Sequence, residues 1–274
     1  MNIRLLQEND EAELYTAFQS AFSTSSVGAS TSLQNFQYRL YQKLKIDFTI
    51  SAGLFEENLV GFILHTSNLY EDIPTAYNGG TGVLPGFRNQ QLAESIYEYL
   101  LPRIREKLDA RIILEVIDAN AAAIKLYEKI GFQIRRKFRC YRQVRPMDLS
   151  FTHETEKATI SELDFSFGDY LPSFIDSENQ LRNGSEKVLT VRQHGKILGF
   201  LIFQPHLGRI SQLAVDPASR NERIGQSLVF RAQQLSKFKL TIMNIPDSEI
   251  GFHKFLLACG FKNEIDQFEM EYIL

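Results

Sequence analysis

Two stretches of this chain have the residue pattern of a phosphate cradle. Val83-Leu84-Pro85-Gly86-Phe87-Arg88-Asn89-Gln90-Gln91-Leu92-Ala93 returns as Val215-Asp216-Pro217-Ala218-Ser219-Arg220-Asn221-Glu222-Arg223-Ile224-Gly225, with Val, Pro, Arg and Asn in the same register. Each copy ends a strand-like run at a turn-forming proline and opens into a long amphipathic helix, so the N–H groups of the helix's first turn face the turn. Such a place binds anionic groups. Asn120 and Tyr127 lie seven positions apart, close to two helical turns, which puts both side chains on one helix face where they can line a cleft. The same pair has an architectural use, with Asn120 as the helix N-cap and Tyr127 as a half-buried core residue.

The elements that must position these residues follow from pattern. In the first half the spacing predicts a strand at 3–6, a helix over about 10–22, a polar loop at 23–32, a helix over 33–45, and strands at 48–56, 59–66 and 76–84. A long helix from near Arg88 carries Leu92, Ile96, Leu100, Ile104 and Leu108 as a core ridge, with a kink expected at Pro102. A strand at 111–117, a helix from Asn120 to a Gly131 cap and a pair of strands within 132–144 complete the half. Thr75 to Val83 is strand-like yet rich in glycine, which points to a bulge or a close backbone approach to a ligand. The second half repeats the order in compressed form, with a short strand at 158–160, a helical region within 169–181, three strands at 188–215, a helix from Arg220, a strand at 239–243, a helix over 248–259 and a last strand at 268–273. The polar stretch 145–157 reads as the linker.

Composition narrows the function. With 274 residues, 44% of them hydrophobic, the chain can build two ordinary cores. A net charge of −3 gives no basic field for nucleic acid. The longest apolar runs, 59–64 and 197–203, fall far short of the roughly 20 residues of a membrane helix, and the polar start of the chain lacks the apolar centre of a signal peptide. A cytoplasmic protein with no membrane partner is expected. Cys140 and Cys259 read as buried small hydrophobes, and His65, His153, His194, His206 and His253 show no metal-ligand spacing, so no metal is expected.

The loops resemble the acetyl-CoA motif of the GCN5-related N-acetyltransferase (GNAT) superfamily: Arg or Gln, two residues, Gly, one residue, Gly or Ala. Here it stands as Arg88-Asn89-Gln90-Gln91-Leu92-Ala93 and again as Arg220-Asn221-Glu222-Arg223-Ile224-Gly225. The run from Leu114 through Asn120 and Tyr127 to Gly131-Phe132 is similar to the next motif of that family. Both copies depart at the first glycine, where Gln91 and Arg223 stand. The tandem arrangement resembles two-domain bacterial acetyltransferases. The resemblance implies an α/β (α+β) fold of two tandem GNAT-like domains, 1–147 and 152–274, each a mixed, mostly antiparallel sheet flanked by helices.

It also implies roles. Acetyl-CoA would be the acyl donor and a primary amine, on a small molecule or a peptide, the acceptor, by direct attack. Val83, Arg88, Asn89, Gln90, Gln91, Leu92, Ala93 and Asn120 would hold the donor, with backbone N–H groups near Val83 on the thioester carbonyl and Asn120 on the pantetheine arm. Tyr127 would donate to the departing thiolate. Glu115 is the candidate general base, with Glu71 and Asp72 behind it. Aligning Gly260-Phe261 with Gly131-Phe132 puts Leu256 in the place of Tyr127 and Glu249 in that of Asn120, so the N-terminal domain is expected to be catalytic and the C-terminal one degenerate. A homo-oligomer is compatible with the sequence. The alternatives are a degenerate acyl-CoA-binding or protein-interaction module, and transfer of another acyl group or an aminoacyl-tRNA. Arg135, Lys137, Arg139 and Arg145 share one face of a strand, either solvated or turned to an acidic substrate.

Overall fold

The computed structural model describes residues 1–23, 31–148, 153–182 and 184–274. Most of the predicted 23–32 loop and the centre of the predicted linker, 149–152, lie outside them. In chain order the elements are β1 (Asn2–Leu5), α1 (Glu11–Ala21), α2 (Leu33–Gln37), β2 (Ala52–Phe55), β3 (Leu59–Tyr70), β4 (Ile73–Val83), α3 (Leu92–Leu108), β5 (Arg111–Ile117), α4 (Ala121–Ile130) and β6 (Gln133–Gln143). There follow β7 (Glu156–Ala158), α5 (Glu178–Leu181), β8 (Lys187–Gln193), β9 (Lys196–Gln204), β10 (Arg209–Val215), α6 (Ile224–Leu235), β11 (Thr241–Pro246), α7 (Ile250–Ala258) and β12 (Phe261–Ile273).

These elements form two compact units. The first comprises Met1–Val116, Asn120–Arg135 and Glu269–Leu274; the second, Ile117–Ala119 and Arg136–Phe268. In the first, β1 to β4 form an antiparallel meander and β4 pairs in parallel with β5. Its core gathers Phe36, Leu40 and Leu44 with Phe62, Ile63 and Leu64 of β3 and the ridge Leu92, Ile96, Leu100 and Ile104 of α3, all buried. Leu108, predicted on that ridge, is half-buried at the last position of α3. The second unit repeats the plan, with β7 to β10 antiparallel and β10 parallel to β11. Its core sets Leu201, Phe203 and Ile210 against Leu228, Val229 and Ala232 of α6.

The strand pair expected within 132–144 is one long strand, β6, and the last strand, expected at 268–273, starts already at Phe261. β6 contains no Gly, Pro, Asn or Asp and so has no turn to make. In β12 the turn-like Asn263 and Asp266 bond each other along the strand at 2.8 Å. Each long strand passes from one unit to the other, β6 after Arg135 and β12 after Phe268. The units are therefore not contiguous in sequence, as the ranges 1–147 and 152–274 are. The long helix also starts later than expected: Pro85–Phe87 forms a 3-10 turn, Asn89 and Gln91 take positive φ, and α3 begins only at Leu92. Its helical run continues through Pro102, because Pro102 and the Glu98 carbonyl it cannot bond are on the exposed side, where water replaces the bond.

The strand segment returning at Glu269–Leu274 is fastened by charge. Arg111, 4% exposed, donates from Nε to Thr75 Oγ1 (2.9 Å), from NH1 to Glu271 (2.8 Å), and from NH2 to the Tyr70 carbonyl (2.6 Å) and Glu71 (3.0 Å). Removing a buried cation strands its carboxylates. Arg111→Met is expected to lower the unfolding free energy by roughly 3 kcal/mol in urea titration, whereas Lys262→Met on the exposed face of β12 changes it by less than about 0.5 kcal/mol.

Candidate functional site

The parallel ladder between β4 and β5 runs from Thr75↔Arg111 to Asn78↔Leu114, while β4 continues to Val83 and β5 to Ile117. The strands part after that pair and leave an opening between them. At the same place β4 is bulged: Leu64 pairs with Gly80 and His65 with Asn78, which leaves Gly79 unmatched. The glycine-rich run is thus the predicted bulge, and a Cβ on Gly79 would lie 2.8 Å from the Leu44 side chain.

Asn78 holds this irregular backbone. Its Oδ1 accepts from Gly80 N at 2.9 Å, across the bulge, and its Nδ2 donates to Thr81 Oγ1 at 2.8 Å and to the Tyr97 hydroxyl at 2.5 Å. Thr81 in turn lies near both the Tyr97 and the Tyr127 hydroxyls. Tyr97 of α3 is wholly buried and sits edge-on to His65, Tyr127 and Phe132 at centroid distances of 5.9, 6.4 and 5.6 Å. Burial pushes the Tyr127 phenol above its ordinary pKa, against the opposing effect of Thr81, and pushes Tyr97 well above. His65 donates from Nδ1 to the Ile50 carbonyl at 2.8 Å, and its buried Nε2 has no hydrogen-bond partner among the described residues. Loss of hydration lowers its pKa to about 4.

Tyr127 is aimed by the end of its helix. Gly131, at φ 115, forms the left-handed cap; Phe132 N donates to the Tyr127 carbonyl (2.9 Å) and Gly131 N to the Glu128 carbonyl (3.0 Å). This closure turns Phe132 back onto the Tyr127 ring at 5.6 Å. At the other end Asn120 is the N-cap, its Oδ1 accepting from Ala123 N at 3.2 Å. That architectural use leaves the amide hydrogens of an exposed side chain for another acceptor. The hydroxyl of Tyr127 reaches β4, so Asn120 and Tyr127 are not held to one another.

The cradle is built from backbone. Ser95 N bonds Gln91 O as the first helical turn closes, so the amides of Gln91, Leu92, Ala93 and Glu94 have no carbonyl within the helix. Leu92 and Ala93 are buried, and Asn89, Gln90 and Gln91 exposed. Gln91, at φ 58, occupies a left-handed position that glycine takes without strain. The Arg88 guanidinium donates to the carbonyls of Ala21 (2.8 Å) and Val83 (3.3 Å), tying the loop to the end of α1 and to β4. Its role is to hold the loop in shape.

The other predicted residues separate. Glu115, on the free end of β5, accepts a short hydrogen bond from the Tyr77 hydroxyl. Glu71 is gripped by Arg111 and Arg135, which hold its carboxyl below the usual range, and Asp72 is an exposed turn residue at φ 60. Neither faces the opening. The basic strand face answers this chain's own carboxylates: Arg135 pairs with Glu71 and Glu269, Lys137 with Asp118 and Asp266, and Arg139 with Asp247. Sequence reasoning missed Asn78, Thr81, Tyr97 and His65. The available signal was an asparagine inside a strand, where it is disfavoured unless its side chain has work.

The second unit repeats the loop and changes what stands behind it. Asn221 (φ 67) and Arg223 (φ 63) match Asn89 and Gln91, and Arg220 Nε bonds the Val215 carbonyl at 3.3 Å as Arg88 bonds Val83. However, the Phe255 ring lies so close to Gly225 that a Cβ there would be 3.1 Å from it, and Phe252 packs beside Phe255. Leu256 is buried in the position of Tyr127. In α4 the places of Phe252 and Phe255 are taken by Ala123 and Leu126, both half-buried.

A parted parallel strand pair, a helix N-terminus presenting free amides and the buried Tyr127 phenol together make up the candidate site. Residues 12–132, somewhat less than half of the chain, match the family model "Acetyltransferase (GNAT) family". Over 84 residues it is 31% identical to N-alpha-acetyltransferase 30 of Dictyostelium discoideum, a match that spans 30% of this chain and 45% of that protein. Among solved structures, a GCN5-related N-acetyltransferase from Sphaerobacter thermophilus superposes with TM-score 0.73 at 12% identity, over 99% of this chain and 95% of that one. A tandem GNAT protein from the clavulanic acid biosynthesis pathway gives 0.72 at 11% identity, over 99% and 98%. A putative acetyltransferase from Pyrococcus horikoshii gives 0.70 at 14%, over 100% and 89%. At these identities the likeness establishes the fold, that of tandem GNAT units.

His65 gives the first unit a pH dependence with a definite sign. Its folded pKa lies below the unfolded value near 6.5, so the unfolded chain binds the extra proton and stability falls as pH drops through the window from 6.5 to 4. Between pH 7 and pH 5 this residue alone should cost about 2 kcal/mol. Urea titrations at both values, compared with His65→Gln, should show the extra loss only in the parent; Asp10 and Glu71, held low by arginines, lose their contribution at lower pH.

Proposed function

We propose that the protein is an acetyl-CoA-dependent N-acetyltransferase whose first unit is catalytic and whose acceptor is a primary amine on a small molecule or a peptide. One observation carries this reading: the buried Tyr127 hydroxyl lies near Thr81 on the free stretch of β4 beside the amides that open α3. Bound acetyl-CoA would supply an activated acetyl thioester. Residues 83 and 88–93 would hold it, the free backbone amides at the start of α3 taking the diphosphate and Ala93 being small, with Asn120 and the exposed Ala121 and Ala122 at the start of α4.

Magnitudes assign the work. A phenol at or above pKa 10 handing its proton to a thiolate near 8.5 climbs about 2 kcal/mol or more, so Tyr127 acts as a hydrogen-bond donor that shares its proton with the leaving sulfur. On the acceptor side, baring a lysine-like amine at neutral pH costs about 4–5 kcal/mol, and an α-amine only about 1. Glu115, held by Tyr77, is the carboxylate that stands on the free end of β5 and takes the amine proton in this reading. The C–N bond forms as the C–S bond breaks, and its electron pair stays on sulfur, against Tyr127.

A second reading, an acyl-CoA-binding module without turnover, is favoured by Gln91 in the glycine position of the cradle. Calorimetry with acetyl-CoA should give one site per chain, the Phe255-filled second unit contributing none. Turnover over a panel of amines separates the readings, and Tyr127→Phe should lower kcat by about 100-fold with acetyl-CoA affinity unchanged. Gln91→Gly, by relieving left-handed strain of about 1 kcal/mol, should tighten acetyl-CoA binding and leave the stoichiometry at one.

A further inference from the structure

Gly79 is the residue of β4 that the ladder with β3 skips, and the skip decides which amides face the opening between β4 and β5. Past it Leu64 pairs with Gly80 and Gly61 with Val83, and Leu84 N bonds the Val60 carbonyl at 2.9 Å. An antiparallel strand turns alternate residues to each of its neighbours. With Leu84 turned to β3, Gly82 turns there too, and Thr81 and Val83 turn their N–H groups to the side that β5 has left. A slip of one residue would exchange the two sets.

The peptide unit that makes the skip, Gly79–Gly80, is held at both ends by side chains. Asn78 Oδ1 accepts from Gly80 N at 2.9 Å, and Arg39 NH2 donates to the Gly79 carbonyl at 2.8 Å. Arg39 stands just past α2, where the chain continues without a break as a π-helix over Tyr38–Leu44. On a π-helix residues five apart lie nearly above one another, whereas on an α-helix they diverge by about 140°. Arg39 and Leu44 are five apart, and both meet Gly79: a Cβ on that glycine would lie 2.8 Å from the Leu44 side chain. The wider winding thus delivers the guanidinium and the leucine to one residue of β4.

We propose that Arg39 is a positioning residue of the acyl-transfer site: by holding the Gly79 carbonyl while Asn78 holds the Gly80 amide, it fixes the skip and keeps the Thr81 and Val83 amides turned to the opening. Its bond to the carbonyl of a buried glycine is charge-assisted, the stronger kind. The segment that follows α2 thereby sets the geometry of the strand on which an acetyl thioester would lie. The consequence for turnover rests on the acetyl-transfer reading; the two-ended hold on the peptide unit does not.

Gly79–Gly80 is the one Gly-Gly step in the chain, so protein made in a cell-free reaction with [1-13C,15N]glycine gives one HNCO cross-peak, from the Gly79 carbonyl carbon and the Gly80 amide. Arg39→Met should move its carbon resonance upfield, and Arg39→Lys, which keeps a cationic donor, should move it less; Arg39→Gln replaces the methionine variant if that does not fold. In turnover, Arg39→Met should lower kcat about tenfold, with Arg39→Lys recovering most of the loss. The calorimetric affinity for CoA, which has no acetyl group to meet those amides, should stay that of the parent. An unmoved carbon resonance, an unchanged kcat, or a loss of CoA affinity in place of the loss in kcat overturns the proposal. A parent protein that turns over no amine sinks the acetyl-transfer reading alone, and the hold of Arg39 on the skip then stands or falls on the cross-peak.

Discussion

The side chain of Asn78 is the constraint on which the first unit's site depends. It sits at the last paired position of β4 against β5, opposite Leu114, and at the pair just before the bulge against β3, opposite His65. Beyond it the chain must leave one ladder and skip a residue in the other, which frees backbone that an ordinary strand would satisfy. The amide spans that gap with three bonds. It closes the bulge through Gly80, locates Thr81 on the free stretch and meets Tyr97 from α3. An aliphatic residue would leave Gly80 N, Thr81 and Tyr97 to find partners in a place with little water, and a buried polar group without one costs about 1–3 kcal/mol.

The repeat separates what a loop needs from what a site needs. Both units keep the left-handed pair, the 3-10 turn after the strand, and the arginine bonded to the strand carbonyl. These features make the turn and retain their use whether or not anything binds. The helix behind the loop is free to change, and in the second unit α7 brings Phe252 and Phe255 where α4 brings alanine and leucine. Aromatic rings there bury apolar area worth a few kcal/mol.

Much of this was legible in the sequence, for identifiable reasons. The repeated loop, the Asn120 cap, the Gly131 terminator and the α3 ridge are local: proline, asparagine, glycine and the 3.6-residue period state them directly. The polar group under the bulge was not legible, because Asn78, Thr81, Tyr97 and His65 come from three elements and each alone passes for a strand or core residue. Arg88 shows a different gap. Its type and spacing suit a phosphate, yet its guanidinium is spent on the carbonyls of Ala21 and Val83, one of them far off in sequence. The last strand was read too short because the turn-like Asn263 and Asp266 of β12 satisfy one another in place.

The return of Glu269–Leu274 to the first unit has a bearing on how the chain is made. Arg111 and Glu271 are 160 residues apart, and a ribosome adding 5–20 residues per second takes roughly ten to thirty seconds to cover that distance. Throughout that interval the Arg111 guanidinium lacks one of its carboxylates and the edge of β5 lacks its neighbour. The nascent first unit is therefore an unfinished sheet with an open edge, the kind of surface that associates with other chains. The first unit waits for residues 269–274 to be made, and their synthesis sets the earliest time at which its sheet can be complete.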